Sequence, residues 1–232
     1  MKKNLIILFS FIIFTSNVFA KKWTNNIGAG ATIPFSIIGL DSKGADDINQ
    51  VGYGIEGTYI GLHENGFTAK ANVSVGAATS KDVAIQDRNT NIGVFENIAL
   101  GAGYSFVNTE KFLFGTTAML GIELGQYSSK EKDVYIDEEI SGKSETAGDV
   151  TTSLSLVTVS LGADIFGICR LNKRLGFFAN LNARWILGGT TSSEVKNEWD
   201  DGHKTKTLTD SSENDLIGKF IVQPTIGVIW TF

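Results

Sequence analysis

Eight stretches of this chain alternate their side chains with a period of two, apolar on one face and small or polar on the other. They cover residues 23–36, 51–59, 67–76, 97–106, 112–125, 157–165, 175–188 and 219–232. In the seventh, Leu175, Phe177, Ala179, Leu181, Ala183, Trp185 and Leu187 alternate with Gly176, Asn180, Asn182, Arg184 and Gly188. No stretch of comparable length shows a helical period. This pattern predicts an all-β, antiparallel, up-and-down arrangement of eight strands.

The connections alternate as well. Short turns at His63 to Gly66, Val107 to Lys111 and Cys169 to Arg174 separate longer loops at Asp41 to Gln50, Thr79 to Asn91, Ser128 to Thr152 and Thr190 to Asp215. Short turns at one end and long loops at the other, joining strands of about ten residues, fit a transmembrane β-barrel, in which the short turns and both termini are expected on the periplasmic side and the long loops on the extracellular side. A soluble eight-stranded barrel of the lipocalin kind would alternate with the same period. Charge separates the two: Glu56, Lys70, Glu123, Asp164, Arg184 and Lys219 fall on the small, polar face, and only Glu96, near a loop end, falls on the apolar one. A soluble barrel needs a solvated outer face, so the apolar face is expected to meet lipid and the polar face to line the lumen. Aromatic residues crowd the apolar face near the short turns (Trp23, Tyr59, Phe67, Tyr104, Phe106, Phe112, Phe177, Trp230 and Phe232), as an interfacial girdle would. Phe35, Tyr53 and Phe220 would form a sparser outer one.

The first twenty residues stand apart. Lys2 and Lys3 precede the apolar run Leu5 to Phe14, and Val18-Phe19-Ala20 suits a cleavage site, so residues 1–20 are expected to be a removed signal peptide and 21–232 the barrel. No Cys lies near that site to carry a lipid, and the single Cys169 has no partner in the chain for a disulfide. A formal charge of -5 gives nucleic acid no basic footprint to bind.

The segment from Phe220 to Phe232 resembles the carboxy-terminal signal strand of outer-membrane proteins, with apolar residues at every second position (Ile226, Val228, Trp230) before the final Phe232. The chain as a whole resembles the small eight-stranded barrels of the OmpA-barrel, OmpX and OmpW kind, and more weakly uncharacterised small barrels of spirochaetes. The resemblance implies a bacterial outer-membrane location with lipid around the barrel. It also implies the barrel-assembly machinery as the reader of Val228, Trp230 and Phe232. Pro224 departs from the pattern by removing a ladder donor, which predicts an irregularity at the closing seam.

No catalytic constellation is present. His63 lies in a short turn and His203 in a loop, His63-Glu64 lacks the second His of the zinc-protease motif, and Asp200-Asp201-Gly202 lacks the spaced ligands of an EF-hand. Neither a cofactor nor a metal is expected, and a monomer is. On the inward face, three acids (Glu56, Glu123, Asp164) meet three bases (Lys70, Arg184, Lys219), and isolated ions in a narrow interior are costly. These six are expected to pair in a polar network that plugs and stiffens the barrel. The alternative is a narrow channel or carrier for small or hydrophobic solutes, since many inward glycines vacate space and Phe95, Phe178 and Met119 would line an apolar pocket. Outside, Ser128 to Thr152 and Thr190 to Asp215 each carry seven acids against three bases. Such loops are most simply solvated surface. The sharper readings are divalent-cation binding or recognition of an external partner, for which Asp137, Glu138 and Glu139 are the candidates. The leading function is therefore a structural or surface-interaction role carried by acidic extracellular loops.

Overall fold

The computed structural model describes residues 23–40, 47–80, 91–136, 146–200 and 205–232. The predicted signal peptide lies outside these residues. Alternating apolar and polar side chains suit extended backbone, because successive residues then face opposite environments. Nine strands result among the described residues: β1 (Trp23–Thr32), β2 (Phe35–Leu40), β3 (Ile48–His63), β4 (Phe67–Ser80), β5 (Asn91–Asn108), β6 (Phe112–Ile136), β7 (Thr146–Arg170), β8 (Leu175–Asp200) and β9 (Thr205–Thr231).

β1 and β2 form one stave, because each pairs with β3 on one side and β9 on the other. The ring therefore has eight staves, every neighbouring pair antiparallel, and β1 against β9 closes it. Pro34 splits the first stave and Pro224 faces it across the seam. Neither has an N–H, so the ladder stops at Thr32 opposite Thr225 and resumes at Phe35 opposite Val222 with the register intact. The Ile33 N–H donates to Pro224 O at 3.2 Å, and the Gly52 N–H to Pro34 O at 2.8 Å. At the two prolines the seam irregularity is thus a gap, not a slip.

The faces lie as the alternation predicts. Ile27, Ile55, Leu100, Leu120, Leu161, Leu181, Trp185 and Ile226 are exposed on the outer wall, while Asn26, Glu56, Lys70, Thr117, Asp164 and Arg184 are buried inside. A continuous apolar outer surface of this extent is tolerated in lipid and not in water. Near the short turns Trp23 meets Phe67 edge-on at 5.8 Å, and Trp230 and Phe232 lie 6.5 Å apart. Gly66, at φ +91°, turns β3 into β4 under the Tyr104 ring, where a Cβ would collide.

The far end differs from expectation. Residues from Ser128 to Thr152 and from Thr190 to Asp215 are strand over most of their described length. β6 and β7 have 25 residues each, β8 has 26 and β9 has 27, against 14 for β4. About ten residues suffice to cross the hydrocarbon. Among the described side chains, the exposed large apolar ones end at Leu124 on β6 and Leu187 on β8 and begin at Val157 on β7 and Phe220 on β9. Beyond that belt the four strands stay hydrogen-bonded as a protruding sheet, with Gly148 opposite Trp199 and Glu194 opposite Ser211.

Candidate functional site: a filled lumen and a protruding sheet

The interior is layered. Toward the short turns Ile60, Leu62, Leu113, Phe166, Ile168, Phe178 and Ile229 form an apolar cluster. Toward the protruding sheet Ile38, Ile48, Phe95, Tyr127, Leu156, Ile186 and Ile221 belong to a second. Between them lies a polar layer.

Five of the six charged residues read from the sequence lie in that layer: Glu56, Lys70, Glu123, Asp164 and Arg184 are each at most 3% exposed. Lys70 Nζ donates to Asp164 Oδ1 at 2.5 Å. Asn180 Nδ2 donates to Asp164 Oδ2 at 3.2 Å and to Glu56 Oε1 at 3.1 Å. Gln223 Nε2 donates to Glu56 Oε2 at 3.0 Å, and Asn97 Nδ2 to Gln223 Oε1 at 3.0 Å. Arg184 Nη1 completes the chain by donating to Asn97 Oδ1 at 3.2 Å. Glu123 stands beside it, accepting from Ser36 Oγ at 3.4 Å. The charged residues are therefore joined mainly through Asn97, Asn180 and Gln223, which sequence reasoning left out of the network. Their inward position in the alternation was the available signal.

Lys219 is a correction. It does not join the lumen: its ammonium lies 3.4 Å from Asp47 Oδ2, with both side chains 43% exposed. The cause is local register. Between Ile37 and Gly39 on β2 the chain of β9 advances from Phe220 to Ile217, one residue more than its partner, and the extra residue frees Lys219 from the inward face. Of the six, three acids and two bases remain inside, and the amides of Asn180 and Gln223 spread the excess by donating to Glu56.

Large side chains occupy the room left by inward glycines. A Cβ on Gly121 would overlap Arg184 Nη1, one on Gly28 would meet the Phe178 ring at 2.9 Å, and one on Gly52 the Phe95 ring at 2.9 Å. Gly101 seats the Met119 sulfur in the same way. Phe95, Phe178 and Met119 therefore fill space, with exposures of 2%, 3% and 0%. This agrees with the capacity of eight strands, which enclose an interior about one layer of side chains wide.

On the protruding sheet, Lys130 reaches Asp149 at 2.8 Å and Glu198 at 3.9 Å, and Lys196 reaches Glu198 at 2.6 Å. The bond to Asp149 holds the Lys130 ammonium above its usual range, and the bond from Lys196 holds the Glu198 carboxyl below its own. On the opposite face Val150 and Trp199 pack together with Val195 against them. Asp137, Glu138 and Glu139 lie outside the described residues, as does His203. At the seam end Val228, Trp230 and Phe232 all point outward, at 50%, 43% and 68% exposure.

No protein-family model matches the chain, and no curated protein matches it. Among solved structures it is similar to the outer membrane protein OprG from Pseudomonas aeruginosa, at 12% identity over 91% of this chain and 97% of that one, with a TM-score of 0.50. The fold is that of a small outer-membrane β-barrel. Lower scores link the barrel to a major outer membrane protein from Thermus thermophilus (11% identity, 89% and 99% covered, TM-score 0.48) and to Ail of Yersinia pestis (12%, 91% and 99%, 0.43). At these identities the likeness is one of architecture. It is a fold of the bacterial outer membrane, and the lipid-facing belt of this barrel is the surface such a membrane requires.

Proposed function

We propose that this barrel is a surface-interaction protein, whose β6–β9 sheet presents a binding surface outside the membrane while the closed barrel serves as its anchor. One observation carries the reading: the four longest strands continue as paired sheet well past the lipid-facing belt. Ordering backbone costs roughly 1–2 kcal/mol per residue, so short loops would serve a barrel that only filled the membrane. The acidic composition of both hairpins suits a partner with basic groups. The packed lumen supports an anchor over a conduit. Purified full-length barrel in planar bilayers is expected to give no defined single-channel steps. Reproducible small steps would overturn the reading in favour of a channel.

The same reading takes Val228, Trp230 and Phe232 as the strand presented to the barrel-assembly machinery. Phe232 also closes the seam, its N–H donating to Asn25 O at 2.8 Å. Deleting Phe232 is expected to lower severalfold the amount of heat-modifiable, folded barrel in the outer membrane, measured by semi-native electrophoresis of cell envelopes. Unchanged abundance would remove this strand from that role.

A further inference from the structure

Near the short-turn end, five neighbouring strands leave a hollow in the lipid-facing wall. Register aligns Ala31 of β1, Ile226 of β9, Ala179 of β8, Gly167 of β7 and Phe114 of β6 in one row across the barrel. Three of the five are Ala or Gly, so the row is a dent, and nothing lies closer than 3.8 Å to where a Cβ on Gly167 would sit. The next row toward the turns is bulkier, with Val228, Phe177 and Phe112 standing out from the wall. Together the rows shape an apolar groove of about 760 Å³.

Cations gather directly beneath it. Lys111 precedes Phe112, Arg170 follows Cys169, and Lys173 and Arg174 lie in the turn before Phe177. The two turns are tied together: the Arg170 N–H donates to Lys111 O at 2.7 Å and its Nη1 to Thr109 O at 2.6 Å. Lys111, Lys173 and Arg174 are exposed, and Glu110 is the one acid in these two turns. The third short turn, His63 to Gly66, contains no Lys or Arg. Positive charge at the described turn end thus lies under the groove and not evenly around the rim.

We propose that this is a binding site for one anionic phospholipid of the periplasmic leaflet, with an acyl chain in the groove and the phosphate held by Lys111, Lys173 and Arg174. Bases at a membrane surface attract anionic headgroups, and their aliphatic stems reach along apolar surface to the polar boundary. A second copy of this chain does not suit the site, since a two-fold contact across the groove would bring the same bases face to face. A free phosphate would use the bases and leave the groove without a role.

The test is native mass spectrometry of the full-length barrel released from detergent containing dioleoyl phosphatidylglycerol or dioleoyl phosphatidylcholine. One phosphatidylglycerol per barrel is expected, retained at least tenfold more than phosphatidylcholine and not displaced by an equal concentration of inorganic phosphate. The triple change Lys111→Gln, Lys173→Gln, Arg174→Gln should bring phosphatidylglycerol down to the phosphatidylcholine level. Filling the groove with Ala179→Phe, or with Gly167→Leu should the first not fold, should lower retention of phosphatidylglycerol with the bases intact. Heat-modifiable migration confirms that each variant is folded. Equal retention of the two lipids by the unaltered barrel, displacement by phosphate, or retention that survives either kind of variant would overturn the proposal.

Discussion

Replacing Lys70 by Met lowers the stability of the barrel in lipid vesicles by about 3–5 kcal/mol, the loss expected when one partner of a buried ion pair is removed. The side chains of Lys70 and Asp164 are both 0% exposed and meet at 2.5 Å. Without Lys70, the Asp164 carboxylate keeps only Asn180 as a side-chain donor among the described residues, and Glu56 shares that same amide. Replacing both members, Lys70→Met with Asp164→Leu, should recover most of the loss, because no uncompensated charge is then left behind. Urea-dependent refolding into vesicles measures both. A loss under about 1 kcal/mol for Lys70→Met would mean that water reaches this layer freely and that the lumen is not packed shut.

The outer wall gives the second large effect. Leu181 is 46% exposed and lies midway along the apolar run of β8 from Leu175 to Leu187, facing outward between Ile165 and Pro224. Leu181→Arg should destabilise refolding into vesicles by roughly 2–4 kcal/mol, as a cation near the bilayer midplane does. Glu194 is exposed on the same strand beyond the belt. Glu194→Arg should change stability by no more than about 0.5 kcal/mol, as for ordinary solvated surface. Equal costs at the two positions would mean that the belt does not meet lipid.

Neighbouring residues show how much was readable beforehand. Leu181 outward and Asn182 inward follow from period two alone, since adjacent side chains on a strand must face opposite ways, and a one-residue slip would exchange them all. The protruding sheet was not readable in that way. Periodicity reports a difference between two environments, and beyond the belt both faces of β8 carry polar residues such as Thr191, Ser192 and Glu194. With only Val195 and Trp199 as large apolar residues on β8 there, a strand looks like a loop. Lys219 was misplaced for a related reason: alternation counts residues, and a bulge inserts one without changing the composition.

The sequence by itself determined the eight staves, the lipid-facing and lumenal faces, and the burial of Glu56, Lys70, Glu123, Asp164 and Arg184, because each depends on local alternation along a strand. The tertiary structure alone decided which lumenal groups meet. Lys70 and Asp164 lie on different strands, 94 residues apart in the chain, and Glu56 and Gln223 are 167 apart. It also decided that the inward glycines seat Arg184, Phe95, Phe178 and Met119. The contents of a closed ring depend on how side chains from opposite walls share one small volume, and no pattern along a single strand records that.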